Sequence, residues 1–345
     1  MGSVIQEDIE NIAKSELPWE KLQNSSVLVT GASGLIGNLI LLSLSTAARV
    51  HNLNLSLYGT IHHSKPKPVH FVEYISQDIR QPIEFNKTLD YIIHCAAVTN
   101  STDMIKYPVE NLKTSVLGTE NILSLAKNKS CKSIVYLSSM EVYGVIPYSE
   151  NLVTEDQLGF INLFNPRSCY PEGKRLCEML CYAYWHEYKV PVKIARLSQT
   201  FGPGVSPNDK RVFMQFAQSV IDKNDIVLHT DGYSYGNYCY TSDTARAILL
   251  LLLEGHNGEA YNICNEDSTM TIKDMADLVA NKIAGNSISV AKNITSNNIT
   301  GYAPKSGLRL SSQKLRLLGW TPEYNLEDAY RRMLSELIEQ KENQF

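Results

Sequence analysis

Continuous apolar runs punctuate this chain at recurring intervals: SSVLVT (25–30), LNLSLYGTIH (53–62), VHFVEYI (69–75), LDYIIHCAA (89–97), KSIVYLSS (132–139), PVKIARLS (191–198) and EAYNIC (259–264). Each reads as a strand buried on both faces, because a half-solvated strand would alternate apolar with polar positions. Helix-like stretches lie between them, among them one holding the apolar run Ala247 to Leu253. Strands alternating with helices predict an α/β fold, a doubly wound parallel sheet covered on both faces. Residues 4–23 carry an amphipathic pattern interrupted at Pro18, which predicts a helical arm over residues 1–24 packed on this body. Loop-rich segments at 202–211 (GPGVSPNDKR), around 286–301 and at 318–329 (LGWTPEYNLEDA) predict a second, smaller lobe.

Composition narrows the function classes. The 345 residues are 43% hydrophobic and 20% charged, ordinary globular usage that excludes a disordered, collagen-like or disulfide-scaffold protein. A net charge of −4 with no basic block argues against a nucleic-acid partner, whose phosphates demand clustered Lys and Arg. The run at 247–253 is far shorter than the roughly 20 residues of a membrane-crossing helix. The acidic start, MGSVIQEDIENIAK, lacks the basic-then-apolar order of an export signal. A soluble, cytoplasmic protein without a membrane partner is expected. Seven cysteines, with no paired CxxC sites and no Cys/His cluster, suit a reducing compartment and predict no metal site. Cys177 and Cys181, four apart on an expected helix, read as packing thiols.

The first strand runs into Gly31-Ala32-Ser33-Gly34-Leu35-Ile36-Gly37 and then a helix. Glycines at three-residue steps admit a pyrophosphate that a Cβ would obstruct, and the helix N-terminus offers free N–H groups to its charge. This strand–loop–helix context predicts a dinucleotide-binding (Rossmann) domain over 25–200 and 236–268, with a substrate lobe over 201–235 and 269–345. Asp78 and Ile79, after the third strand, are placed to meet an adenine; Ala96 and Ala97, ending the fourth, are small enough to let a dinucleotide pass. The second strand ends in Gly59-Thr60-Ile61-His62-His63-Ser64-Lys65, with no acid for the ribose hydroxyls. His62 and Lys65 tolerate a 2′-phosphate, so the cofactor is read as NAD with NADP left open.

The fifth strand ends in Ser138-Ser139-Met140-Glu141-Val142-Tyr143-Gly144, and Tyr170-Pro171-Glu172-Gly173-Lys174 opens a later helix. Four residues apart, Tyr170 and Lys174 project from one face. A free phenol titrates near 10, and an ammonium at about 4 Å, under an effective dielectric near 20, contributes about 4 kcal/mol, enough to bring it roughly three units down. The pair is thus able to move a hydroxyl proton while a hydride is transferred, with Ser139 holding the same oxygen. Glu141 is a second proton-transfer candidate.

The combination TGASGLIG, SSMEVYG and YPEGK resembles the extended short-chain dehydrogenase/reductases, specifically the NAD-dependent epimerase/dehydratase family that modifies nucleotide sugars. The resemblance continues through ARLSQTFGPG (195–204), GNYCYTSD (236–243) and 318–329. It implies a reacting triad of Ser139, Tyr170 and Lys174, a phosphate loop of Gly31, Gly34 and Gly37, a nucleotide-sugar or nucleotide-polyol substrate contacted by Thr99, Ser139, Gln199, Arg211 and Arg309, and a homodimer built on two long helices of each subunit. Departures from the family pattern bear on the reaction. Met140 stands where dehydratases place an Asp, and a thioether has no proton to donate for water elimination. Ser115 and Gln199 replace common asparagines, and Gly236 replaces an Arg that grips the diphosphate; Arg211 or Arg309 is the candidate replacement. Two reactions fit: one that oxidises a sugar carbinol and returns the hydride, as in epimerases, dehydratases and decarboxylases, or net reduction of a nucleotide-linked ketose, CDP-linked by similarity to capsule-type enzymes. A third reading, a noncatalytic NAD(P)-sensing scaffold on the same fold, is disfavoured by the intact Ser139, Tyr170 and Lys174.

Overall fold

In the computed structural model, which describes residues 2–62, 69–294 and 307–342, α1 (Ser3–Lys14) and a 3-10 turn (Trp19–Leu22) flank Pro18 and lead into β1 (Ser25–Thr30). The chain then runs through α2 (Leu35–Val50), β2 (Leu55–Ile61), β3 (Val72–Ser76), β4 (Tyr91–His94), α3 (Ser101–Lys106), α4 (Pro108–Lys129), β5 (Ser133–Ser139), α5 (Cys169–Tyr188) and β6 (Val192–Leu197). It continues with β7 (Gln199–Phe201), α6 (Val212–Asp222), β8 (Ile226–Leu228), β9 (Tyr235–Tyr240), α7 (Thr241–Glu254) and β10 (Ala260–Ile263). Then follow β11 (Asn265–Thr271), α8 (Ile272–Leu278), β12 (Val290–Lys292), α9 (Gln313–Arg316) and α10 (Leu326–Glu342). All seven predicted strands form one sheet in the order β10-β6-β5-β4-β1-β2-β3, every pairing parallel. The third begins later than its apolar run, at Val72, because Phe71 takes a left-handed φ of 64° and is exposed.

Both faces of the sheet are dry. Val27 and Val29, with Leu57, Ile93 and Val135, pack under the leucines of α2 and α7. Leu28, with Ile92, Ile134 and Tyr136, packs on the opposite face against Ile122 of α4 and the Cys177 and Cys181 thiols of α5. This two-sided burial, about 1.5–3 kcal/mol for each large aliphatic side chain, is why the strands read as unbroken apolar runs.

Where β6 ends, the chain leaves the main sheet. β7 joins a three-stranded sheet, β11-β9-β7, and β12 pairs with β8. Phe201, Phe213, Tyr238, Tyr240, Met275 and Tyr330 fill a separate core there. Helix α1 adds Ile5, Ile9 and Ile12 to the core under α2, while its first N–H groups, at Gly2 and Ile5, donate to the Glu336 carboxylate of α10. Among the described residues no helix is long and apolar enough to cross a membrane. The strand order reverses about β1, so the carboxyl ends of β1, β4 and β5 open onto the crevice where ligands of such sheets settle.

Candidate active site

Gly31 turns the chain out of β1 with φ 66°, and a Cβ there would lie 2.9 Å from the Ala96 amide nitrogen. The glycine loop therefore rests on the end of β4, beside Ala96 and Ala97. Gly34 is the N-cap residue of α2, and a Cβ on Gly37 would lie 2.4 Å from the Gly31 carbonyl oxygen. Loop and helix close on each other, leaving Ser33 and Gly34 exposed and the first turn, Leu35 to Gly37, with its unpaired N–H groups at the carboxyl edge of the sheet.

Ile79 is buried against Gly118 of α4, and Asp78 lies beside it at the end of β3. The Asp78 carboxylate is forked by Arg80 at 2.7–3.0 Å, and those hydrogen bonds hold it down at about 2. His62 Nε2 stands 3.9 Å from the same carboxylate, so the charge that the sequence offers to a 2′-phosphate faces an anion. His63 and Lys65 lie outside the described residues.

Three turns of α5 meet the last three residues of β5. Ser139 hydrogen-bonds toward the Tyr170 phenol, Lys174 Nζ donates to the Leu137 carbonyl at 2.7 Å, and Glu178 accepts from Ser138 Oγ at 2.5 Å. Tyr170, Lys174 and Glu178 are spaced i, i+4, i+8 and so share the helix face pressed on the strand. Here the structure departs from the energetic expectation drawn from sequence. Lys174 Nζ lies 5.9 Å from the Tyr170 ring centre and 4.8 Å from that of Tyr136. Burial, with the Glu141 carboxylate nearby, raises the Tyr170 phenol well above its usual range, against the lowering pull of Ser139, Arg167 and Arg211. Burial also pulls the Lys174 ammonium below its ordinary value, with Cys177 and Glu178 opposing.

Glu141 is the second residue of a 3-10 turn (Met140–Tyr143) whose N-cap is Ser139; its N–H donates to Ser139 Oγ at 3.2 Å. Both of its carboxylate oxygens accept from Arg167, at 2.8 and 2.9 Å. From the lobe, Arg211 is forked by Asp209 and half exposed, yet close enough to act on Tyr170. Arg309 lies 5.9 Å from the Tyr235 ring centre and reaches the Glu150 carbonyl. Gln199 opens β7 with its Oε1 buried and unpartnered; the Ser115 Oγ on α4 is likewise buried and unpartnered. Thr99 is exposed just before α3.

The model of the NAD dependent epimerase/dehydratase family matches residues 27–264, from β1 to the end of the main sheet. The chain belongs to the NAD-dependent epimerase/dehydratase family. It is similar to UDP-glucuronic acid decarboxylase 6 of Arabidopsis thaliana, 30% identical over 88% of this chain and 86% of the relative. UDP-glucuronic acid decarboxylase 1 of Xenopus tropicalis is 28% identical over 99% of this chain and 81% of the relative. Among solved structures, epimerase Mth375 from Methanothermobacter thermautotrophicus superposes with a TM-score of 0.78 at 20% identity, covering 99% of this chain and 97% of that one. UDP-glucuronic acid 4-epimerase from Bacillus cereus, in complex with UDP-glucuronic acid and NAD, superposes with a TM-score of 0.73 at 22% identity, covering 91% and 99%. These likenesses establish the fold.

As an epimerase/dehydratase family member the chain needs a dinucleotide cradle, and the loop at Gly31, Gly34 and Gly37 has the space that a pyrophosphate requires and a Cβ would fill. Sequence reasoning missed the second layer around the triad. Arg167 and Arg80 went unremarked, as did the buried Glu178–Arg196 pair at 2.8 Å, whose arginine also reaches the Tyr143 hydroxyl and the Glu155 carbonyl. The one available signal was spacing, Glu178 following Lys174 by four residues as Lys174 follows Tyr170.

Proposed function

We propose that this family member oxidises a carbinol of a nucleotide-linked sugar and returns the hydride within the same turnover, so that its NAD is not consumed. The observation that carries this reading is the convergence of Ser139, Tyr170 and Lys174 on the end of β5, beside the glycine loop of β1. NAD, when bound, accepts and gives back the hydride. The chain's own groups would handle the proton: Tyr170, once in its phenolate form, takes the one leaving the carbinol oxygen and as a phenol gives it back, Ser139 holds that oxygen, and Lys174 adds part of the positive charge that the phenolate needs. Gly31 through Gly37 would hold the pyrophosphate. Asp78, Ile79, Ala96 and Ala97 would flank the dinucleotide, Arg211 and Arg309 would reach the sugar nucleotide from the lobe, and Thr99 and Gln199 would complete its contacts.

Electron balance separates this reading from net reduction of a nucleotide-linked ketose. Epimerisation, dehydration and decarboxylation each leave the sum of substrate and cofactor oxidation states unchanged, and the relatives described above are decarboxylases and epimerases by name. Within the group, dehydration fits least. The Met140 thioether cannot donate a proton, and both Glu141 oxygens are committed to Arg167.

Two finer expectations attach to this reading. Val109, Leu112 and Leu117 on α4 and Leu176, Met179 and Tyr182 on α5 form exposed apolar stripes at helical spacing on adjacent helices, which supports a homodimer through a four-helix bundle. Sedimentation velocity at micromolar concentration should give twice the monomer mass. Seven unpaired thiols accord with the reducing cytoplasm.

The deciding experiment incubates purified protein and NAD with UDP-glucose, UDP-N-acetylglucosamine, UDP-glucuronate and CDP-linked ketoses, and weighs the products. An isomeric or decarboxylated product without net NADH change is expected. A two-hydrogen mass gain with stoichiometric loss of added NADH or NADPH would instead establish a reductase.

A further inference from the structure

We propose that the Glu141–Arg167 pair is a self-occupied carboxylate site, and that the group which displaces Glu141 from Arg167 is the carboxylate of a nucleotide-linked uronic acid. The inference rests on the nucleotide-sugar reading above and narrows it to a substrate class.

Arg167 enters on a short 3-10 turn (Pro166–Ser168) and precedes Tyr170 by three residues. Its guanidinium delivers two parallel N–H···O bonds to one carboxylate, the geometry that distinguishes a carboxylate from a hydroxyl or an amide. Among the described residues, no other side chain hydrogen-bonds that guanidinium. The pair is within reach of a ligand, with about a quarter of each side chain open to solvent (24% for Arg167, 30% for Glu141). It also lies beside the reacting group: the Glu141 N–H donates to Ser139 Oγ at 3.2 Å, and the turn that carries Arg167 leads directly into the helix that carries Tyr170. The other cation that acts on Tyr170, Arg211, is forked by Asp209, and Gly236 cannot supply one, because even a Cβ there would meet the Tyr238 hydroxyl at 2.4 Å.

Position selects the kind of anion. With the reacting carbinol taken to be that of C4, a hexose held at Tyr170 carries its diphosphate on C1, across the ring, whereas the carboxyl of a uronic acid is on C5, next to the reacting carbon. An anion reaching Arg167 while the carbinol touches Tyr170 is therefore the C5 carboxylate. A neutral hydroxymethyl group in the same place makes no claim on Arg167 and leaves Glu141 seated. Glu141 then acts as a competitor: it keeps the guanidinium paired in the free protein and must be displaced by an acidic sugar.

That competition gives opposite signs for two substitutions. With NAD present, binding of UDP-glucuronate and of UDP-glucose is measured by titration calorimetry for the wild type, Arg167→Gln and Glu141→Gln. Arg167→Gln should weaken UDP-glucuronate by about tenfold or more, the loss of a charge-assisted fork, and leave UDP-glucose within about twofold. Glu141→Gln should tighten UDP-glucuronate and leave UDP-glucose unchanged. NAD affinity reports folding, and Arg167→Lys, which keeps the charge and loses the fork, replaces the Gln variant if that one fails to bind NAD. Equal effects on the two sugars, or none on UDP-glucuronate, overturn the carboxylate site while leaving the nucleotide-sugar reading intact. A wild type that binds NAD and neither sugar overturns that reading, and the site with it.

Discussion

A phenol enclosed by protein beside a carboxylate keeps its proton, and Tyr170 is in that position. The Lys174 ammonium, 5.9 Å from the ring centre, does not offset that burial. The free protein therefore presents Tyr170 as an acid with Ser139 aligned to it, and Lys174 is held instead by the Leu137 carbonyl. Tyr170→Phe tests the assignment. Removing the hydroxyl should lower turnover by roughly 10²–10⁴-fold, the usual worth of a general acid/base, and leave NAD affinity nearly unchanged. A variant retaining a tenth of the wild-type rate would overturn the role. Tyr170, Lys174 and Ser139 were legible because their order along the chain, after a glycine loop and at a strand end, places them together in a parallel sheet. Arg167 was not, because its partner is 26 residues away and nothing local marks the pairing.

Elements were legible to the degree that burial is two-sided. The seven strands of the main sheet all stood out as apolar runs, whereas the β11-β9-β7 sheet did not. β7 has three residues and merges with the run of β6, and β11 reads NEDSTMT, which no hydrophobic pattern betrays. Polar residues inside the apolar runs were the informative misfits. Arg196 on β6 is answered by Glu178, but Lys193, on the same strand, has among the described residues Ser133 Oγ at 2.7 Å and the Pro191 carbonyl at 3.3 Å, and no carboxylate. Burial pushes the Lys193 ammonium down from 10.5 to about 8. The sign follows: below pH 8 the folded state carries the cost of a buried charge, and that cost is relieved as pH rises from about 8 toward 10.5, where the unfolded chain also loses its proton. Lys193→Met should accordingly raise Tm at pH 7, by an amount worth up to about 3 kcal/mol less the two lost hydrogen bonds, and the gain should shrink by pH 10. Thermal melts across that range check it. Since Lys193 is near the start of β6, away from the Ser139 end of the neighbouring strand, NAD affinity should not change.

At the scale of the whole molecule, the crevice lies between two cores, and α1 is fastened to both. Its isoleucines pack into the core under α2, and its polar face is held by α10: Arg332 donates to Asp8 at 2.8 Å and to the Tyr240 hydroxyl at 2.9 Å, while Tyr240 donates to the second Asp8 oxygen at 2.6 Å. Asp8 is almost wholly buried, and burial outweighs these partners enough to push its carboxyl up to about 6. The folded state thus takes up a proton more readily than the unfolded chain, and Asp8 costs stability as pH climbs from about 4 to 6, after which the cost levels off. Arg332→Met removes the cation and leaves the carboxylate with Tyr240 alone. Breaking a buried pair in this way costs about 3–5 kcal/mol when the remaining group must be charged. With its cation gone, the Asp8 carboxyl rises further, so the loss continues to grow above pH 6 where the wild type is level. The Tm difference between wild type and variant should be small at pH 5, where the folded state already holds Asp8 protonated, and wide at pH 8. A difference independent of pH would mean that Arg332 contributes packing rather than charge, and that the arm is held to the lobe by its apolar face and by Glu336 at its first turn.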